Sequence, residues 1–219
     1  SPIRINRLEI KNRIAYPALG LAYSHDRRLN DRYFNYFREI ARGGAGIVTI
    51  GPVGVDVLGA GFLVLSLDND GAIADFKRLT AAIRREGASP WIQLFHAGAY
   101  SHPILIDMQT PMAPSAVFSK YSRTTPREMS LEDILGVQEA FAAAARRARE
   151  AGFDGVEIIA SGGYLLTQFW SPLKNQRTDT YGGSFENRAR FPRETIQKVR
   201  AAVGAAFPLG IRMAGNDFV

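Results

Sequence analysis

The sequence alternates between short apolar runs and amphipathic helical patterns, and this alternation constrains its fold more than any other feature. Successive parallel strands need a crossover connection, usually a helix, so the alternation predicts a parallel sheet in an α/β fold. We expect a TIM (β/α)₈ barrel, which typically needs ~250 residues. The apolar runs that we interpret as barrel strands are residues 14–17, 46–51, 90–94, 155–159 and 209–213. We therefore expect residues 1–219 to form the N-terminal portion of a single barrel domain, covering roughly its first five strands.

Local signals place helices between these strands. The predicted helices cover approximately residues 30–43, 73–87, 130–152 and 185–203. Asn30 or Asp31 is an acceptable N-cap for the first helix. Ser130 and Asp133 form a variant of the capping box at the start of the third, with Asp in place of the usual Glu or Gln. The alternation in residues 3–10 predicts a short half-exposed strand or a ribbon at the bottom of the barrel.

Composition excludes several classes of protein. The sequence contains no cysteine, which excludes disulfides and cysteine-ligated metal, and we predict no metal site in it. It has no run of ~18 apolar residues and no signal-peptide pattern, so we expect no membrane partner and a cytoplasmic location. No basic-aromatic stripe, zinc finger or helix-turn-helix pattern indicates a nucleic-acid partner. The formal net charge of +6 fits either an anionic cofactor or a locally basic part of a longer chain.

Small residues and isolated polar side chains occur in or after the predicted strands, where a barrel builds its binding site. Gln93 lies within an apolar strand and needs either a structural hydrogen bond or a ligand. Arg212 lies in the last strand and needs an ion pair, an anion or a ring. The small-residue loop 160–163 leaves room for a ligand, and Tyr164 follows it with a hydroxyl that either bonds within the loop or acts as an acid. Residue types alone leave both interpretations open at each position.

Residues 171–191, SPLKNQRTDTYGGSFENRARF, resemble the signature of the Old Yellow Enzyme family of FMN-dependent NADH:flavin oxidoreductases. With the strand and loop before it, the resemblance spans about forty positions, which is far more specific than a short motif. The segment 171–191 contains many side chains that can form several hydrogen bonds each, which predicts a pre-organised loop. The resemblance implies an FMN site at the strand ends, formed by Pro17, Ala18, Leu19, Gly51, Gln93 and Arg212.

The fourth strand departs from the old yellow enzymes proper. Ile159 and Gly162 stand where those enzymes carry a His-x-x-His or His-x-x-Asn pair. The Gly-Tyr-Leu that follows is similar to the bacterial 2,4-dienoyl-CoA reductases, in which that tyrosine is the proton donor, and this implies Tyr164 as a catalytic and substrate-binding residue. The family pattern Gln-x-x-His-x-Gly implies that His96 also binds substrate, although a strand-end histidine is equally compatible with a satisfied loop residue. Ala99 replaces the arginine that usually follows this pattern.

The resemblance implies an FMN-dependent oxidoreductase that uses NAD(P)H to reduce an activated C=C bond. Its substrate would be a small unsaturated molecule, carried as a CoA thioester in the dienoyl-CoA reductase branch. That branch also has a 4Fe-4S cluster and FAD on a C-terminal extension that lies outside this sequence. An amine dehydrogenase-like flavoprotein and a non-catalytic flavin-binding subunit stay open as alternatives, as does a homo-oligomer. Residues 100–127 are expected to be irregular and to cover one side of the site, whereas residues 55–70 fit a lid, an oligomer contact or a packed loop.

Overall fold

The computed structural model describes residues 1–215 and contains a parallel sheet flanked by helices. The main strands are Ala15–Tyr16 (β1), Ile47–Gly54 (β2), Ser89–Phe95 (β3), Gly155–Ala160 (β4) and Leu209–Met213 (β5). The helices are Asp31–Arg42 (α1), Ile73–Arg85 (α2), Leu131–Glu150 (α3), Leu165–Trp170 (α4), Phe185–Arg188 (α5) and Arg190–Val203 (α6). Each strand pairs in parallel with the next strand along the chain, in the spatial order β5-β4-β3-β2-β1. All five predicted strands are confirmed, and their sequential order is that of the first part of a barrel.

The strand register separates two faces of the sheet. On the outer face, Val48, Ile50 and Ile92 are fully buried beneath the helices and belong to the main hydrophobic core. The inner face carries Gln93 level with Glu157, since these residues are register partners of β3 and β4. Because side chains alternate along a strand, this inner face holds the polar residues that a barrel interior can direct towards its open end.

Capping confirms most of the predicted helix boundaries. The Asn30 side chain accepts hydrogen bonds from the backbone N–H groups of Arg32 and Tyr33 and so begins α1. Ser130 and Asp133 form the reciprocal capping box at the start of α3. Helices α3 and α6 pack side by side, and α3 also contacts β3 and β4.

The region after β4 differs from the prediction in two ways. Helix α4 was not predicted, since its residues lie between Tyr164 and the signature segment 171–191, where no secondary structure was assigned. The single helix expected over residues 185–203 is divided at Ala189 into α5 and α6. Pro192 explains the break, since it has no N–H to donate to the carbonyl of Arg188 four residues earlier and its ring crowds that group.

Short elements complete the chain. Strands Ile3–Ile5 and Leu8–Ile10 form an antiparallel hairpin, which confirms the predicted ribbon. Strand Leu65–Ser66 extends β2 in parallel, and Val64 and Leu67 beside it are buried, so the 55–70 segment is a packed loop in this structure. The expected irregular region contains short 3₁₀ turns, Gly98–Tyr100 and Pro103–Leu105, and one small strand pair, Met112–Ala113 with Arg127–Glu128. No helix within residues 1–215 is long and apolar enough to cross a membrane.

Candidate active site

A cavity of about 570 Å³ opens at the carboxyl ends of the strands, a size typical of ligand pockets. The loop after β1, the loop 62–64, the region 105–121 and the residue that follows the β4 loop contribute to it, together with strands β2, β3, β4 and β5. The lining residues are Ala18, Leu19, Gly20, Ala22, Pro52, Phe62, Leu63, Val64, Gln93, Phe95, Leu105, Tyr121, Ile159, Tyr164 and Arg212. The structure thus brings Ala18, Leu19, Gln93, Tyr164 and Arg212 together around one cavity, although they lie far apart in the sequence.

Gly51 lies just behind the cavity wall. It contributes to a small recess shared with Leu19 and Gly20, and Pro17 precedes the lining residues without being one of them. A Cβ atom at Gly51 would lie 2.8 Å from the Cβ of Gln93, closer than real Cβ atoms approach. Glycine at this position therefore leaves the space that the Gln93 side chain needs.

Gln93 is almost fully buried and forms one short hydrogen bond. Its Nε2 donates to Oε1 of Glu157 at 2.5 Å, while its Oε1 accepts no hydrogen bond from residues 1–215. The structural hydrogen bond and the ligand role considered for this residue are therefore compatible, since one side of the amide is paired and the other is available to the cavity. Sequence reasoning missed Glu157, although a carboxylate within an otherwise apolar buried run is a recognisable signal for a paired group.

Tyr164 stands at the junction between β4 and α4. Gly162 and Gly163 precede it with φ of 67° and 76°, and the left-handed backbone turns the chain so that the tyrosine faces the cavity. Its ring packs edge-on against Phe95 at a centroid distance of 4.6 Å and against Phe62 at 6.0 Å. The hydroxyl forms no hydrogen bond with residues 1–215, so it is available to a ligand.

The protonation of Tyr164 follows from this setting. Burial raises the pKa of Tyr164 above its ordinary value of 10.0, and the neighbouring phenols of Tyr121 and Tyr100 raise it further. The side chain therefore remains protonated at neutral pH and can hold a proton for transfer. Phe62, Phe95 and Tyr121 were not identified as site residues from the sequence. A single aromatic residue in a loop or at a strand end carries no pattern that places it at a cavity.

His96 does not reach the cavity. Its ring is fully buried, with Nδ1 accepting a hydrogen bond from the N–H of Gly98 at 3.0 Å and Nε2 lying 3.5 Å from Oδ1 of Asp56. Burial lowers the pKa of His96 below its ordinary value, against a smaller opposing effect of Asp56. The ring therefore lies against Gly98 and Asp56, with Nε2 lacking a hydrogen-bond partner among the described residues, and His96 is not one of the residues that line this cavity.

Arg212 is exposed at the cavity edge on β5. It forms neither a hydrogen bond nor an ion pair with any other residue in 1–215, and it is the cationic side chain among the described lining residues. An unpaired guanidinium at a cavity favours an anionic or electron-rich ligand. Among the described residues, no cluster of three or more His, Asp or Glu side chains could hold a metal ion.

The segment 171–191 supports the site without lining the cavity. Arg177 is buried and its Nη2 lies 2.5 Å from Oδ2 of Asp179. Its Nη1 donates to the carbonyls of Pro114 and Met129. Asn175 closes the same loop by donating to two backbone carbonyls. The predicted pre-organised loop is confirmed, and its polar groups serve each other and the neighbouring 112–129 region.

Comparisons with known proteins agree with this architecture. The model of the NADH:flavin oxidoreductase / NADH oxidase family matches residues 1–219. A metal reductase of Desulforamulus reducens is 44% identical over 219 residues, which are 100% of this chain and 33% of that protein. An NADPH dehydrogenase of Bacillus subtilis is 36% identical over 222 residues, covering 100% of this chain and 64% of that protein. The chain thus spans between a third and two thirds of the length of these curated relatives.

Solved structures give the same result. A 2-naphthoyl-CoA reductase in complex with 2-naphthoyl-CoA superposes with a TM-score of 0.91 at 34% identity, covering 96% of this chain and 34% of that one. The Old Yellow Enzyme from Pichia sp. AKU4542 superposes with a TM-score of 0.91 at 29% identity, covering 97% of this chain and 58% of that one. The expected fold is confirmed, since the five-stranded sheet corresponds to the first part of these TIM barrels.

Proposed function

Because the chain belongs to the NADH:flavin oxidoreductase / NADH oxidase family, we propose that it forms part of an FMN-dependent oxidoreductase that uses NAD(P)H to reduce an activated C=C bond. The observation that carries this proposal is the convergence of Gln93, Tyr164 and Arg212 on one cavity at the strand ends. Their groups are an amide, a protonated phenol and an unpaired cation, which suit a flavin and a polarised alkene together. Residues 1–219 would then be the N-terminal portion of a single FMN-binding barrel domain.

The residues present fit FMN. The small residues Ala18 and Gly20 line the cavity and let a flat ring approach the backbone, while Gly51 behind them leaves room for the Gln93 side chain. Gln93 offers a free carbonyl oxygen and one remaining amide hydrogen to a heterocycle edge. Arg212 offers positive charge where the reduced ring would be negative. Pro17, Ala18, Leu19 and Gly51 would hold the ring through the backbone.

Tyr164 supplies the proton in this proposal. Bound FMN would supply the hydride that one carbon of the substrate double bond receives, with NAD(P)H as the reductant. Tyr164 gives its hydroxyl proton to the neighbouring carbon, which completes the saturated product, and the phenolate recovers a proton from water. The raised pKa keeps this proton in place before the reaction. Phe62 and Phe95 fix the ring and keep that side of the cavity apolar.

A CoA thioester of a conjugated acid is the substrate class that we propose. The apolar, aromatic wall formed by Phe62, Phe95 and Ile159 suits a planar unsaturated acyl group. The structural similarity to a reductase bound to 2-naphthoyl-CoA supports the same class. We do not propose His96 as a direct substrate contact, because its ring lies against Gly98 and Asp56. A 4Fe-4S cluster and FAD would belong to regions outside residues 1–219.

An amine dehydrogenase is the second candidate. One relative, the N,N-dimethylglycine/sarcosine dehydrogenase of Chromohalobacter salexigens, is 37% identical over 221 residues. Among the described lining residues no carboxylate is present to receive a cationic amine, and this disfavours the amine relative to the alkene.

A substrate comparison tests the proposal. The full-length protein would be reduced with NADH or NADPH without oxygen and mixed with a 2,4-dienoyl-CoA, and its oxidised form would be mixed with sarcosine. We expect the thioester to reoxidise the flavin rapidly and sarcosine to leave it oxidised. Flavin reduction by sarcosine would favour the amine dehydrogenase. Bound FMN that responds to neither reagent would favour a non-catalytic flavin-binding subunit.

A further inference from the structure

The carboxylate of Glu157 lies on the inner face of the sheet, directly beside Gln93. The two residues are register partners on adjacent strands, and Gly210 is the partner of Glu157 on its other side. The position of Glu157 is partly buried, where a charged group needs a specific partner.

The hydrogen bond between Gln93 and Glu157 selects one orientation of the Gln93 amide. A carboxylate can only accept, so the Nε2 group of Gln93 must face Glu157, as it does at 2.5 Å. The flipped amide would place Oε1 against a negative oxygen and would be repelled. The free Oε1 and the second amide hydrogen are therefore held ready on the other side of the amide.

Arg212 lies on the same inner face as Glu157, because it follows Gly210 by two residues on β5. The two charges are nevertheless not joined, since no ion pair between Arg212 and Glu157 exists within 4.0 Å. Glu157 is thus committed to Gln93, and the guanidinium keeps its charge for a ligand. In this arrangement Glu157 interacts with Gln93, whereas Arg212 is available to a ligand.

We propose that Glu157 is a positioning residue for the cofactor edge, which fixes the Gln93 amide in the orientation that binds the flavin. This inference rests on the proposed function, because it assumes that the cavity receives FMN. Removing the carboxylate would free the amide to rotate and would leave its Nε2 without a partner. The charge-assisted hydrogen bond is of the stronger kind, so we expect FMN to bind about tenfold more weakly to Glu157→Ala.

A double-mutant cycle on the full-length protein tests this role. The dissociation constant of FMN would be measured by flavin fluorescence for wild type, Glu157→Ala, Gln93→Ala and the double variant. If Glu157 acts through Gln93, the double variant will bind FMN as weakly as Gln93→Ala alone. Losses that multiply in the double variant, or unchanged binding in Glu157→Ala, would overturn the proposal.

Two further variants separate positioning from general destabilisation. Glu157→Gln keeps the size of the side chain, but its amide can donate as well as accept, so it no longer selects one orientation of the Gln93 amide. We therefore expect an FMN affinity between those of wild type and Glu157→Ala. Glu9→Ala makes the same truncation at an exposed position outside the cavity lining and should leave FMN affinity unchanged. Wild-type affinity in Glu157→Gln would show that a carboxylate is not needed to orient Gln93 and would contradict the proposal. Failure of the wild type to bind FMN would instead refute the proposed function itself.

Discussion

At the scale of single residues, the site depends on close approaches that only a small residue or one side-chain orientation permits. Gly51 has a φ of 152° and lies against Gln93, whose amide is turned by Glu157. His96 is buried and accepts a hydrogen bond from Gly98, while its Nε2 lies 3.5 Å from Asp56 without a hydrogen-bond partner among the described residues. Substituting one of these residues should therefore change stability or FMN binding, which can be measured without assaying catalysis.

Replacing Gly51 with alanine should disturb Gln93. The added methyl would lie 2.8 Å from the Gln93 Cβ, and we expect a loss of about 1–3 kcal/mol in the free energy of unfolding together with weaker FMN binding. Urea denaturation and flavin titration of the full-length protein measure both. Gly44→Ala is the matched control, because Gly44 has a positive φ of 100° but no atom within 4 Å of its added Cβ. Wild-type FMN affinity in Gly51→Ala would contradict this account.

The buried His96 should make stability depend on pH. Since burial lowers its pKa below 6.5, the unfolded chain binds a proton that the folded chain resists. Its contribution to stability is therefore complete above pH 6.5 and is lost progressively as the pH falls below that value. Denaturation of wild type and His96→Asn from pH 8 to about pH 5 measures this difference. An equal slope for the two proteins over this range would show that His96 is not responsible.

At the scale of elements, the connection between α4 and α6 is stabilised by buried polar groups. Arg177 joins Asp179 to the carbonyls of Pro114 and Met129, so it links the region after β4 to the region before α3. The stacked rings of Phe169 and Phe191, with centroids 4.1 Å apart, close the same junction. This connection holds the carboxyl end of α4, the helix that follows Tyr164.

Removing Arg177 should therefore cost much more stability than removing an exposed arginine. Arg177→Met leaves Asp179 and two carbonyls without their partner, and we expect a loss of about 3 kcal/mol in unfolding free energy. Arg38→Met breaks the exposed pair with Glu39 and should cost less than about 1 kcal/mol. Chemical denaturation of both variants gives the comparison. Losses of similar size would mean that the buried network contributes little.

At the scale of the whole molecule, the sheet of residues 1–215 has two edges. Neither β1 nor β5 has a further partner on its outer side among these residues, and Ile14, Ile211 and Met213 are exposed beside them. Open apolar edges favour association with other chains. We expect residues 1–219, produced alone, to self-associate and to lack stoichiometric FMN, as judged by size-exclusion chromatography and visible absorbance. A monomeric yellow fragment would contradict this expectation.

Much of this architecture could be predicted from the sequence because the signals were local. Buried parallel strands read as apolar runs, and caps such as Asn30 and Ser130 mark helix starts through contacts within three residues. The rest depends on contacts between distant segments. Whether His96 faces a cavity depends on Asp56, and the role of Glu157 depends on a partner 64 residues away. The residues proposed for a flavin site were implied by the family resemblance, and their individual roles stay predictions.

The central claim is that Tyr164 donates the proton in alkene reduction, and the Tyr164→Phe variant tests it most directly. The phenyl ring keeps the contacts with Phe62 and Phe95, so FMN binding and reduction by NAD(P)H should remain close to wild type. Reoxidation by a 2,4-dienoyl-CoA, followed by anaerobic stopped-flow absorbance, should slow by about 10²–10⁴-fold. Tyr121→Phe, which alters a more exposed phenol of the same cluster, serves as the control and should stay near wild type. Reoxidation of Tyr164→Phe at the wild-type rate would contradict the account.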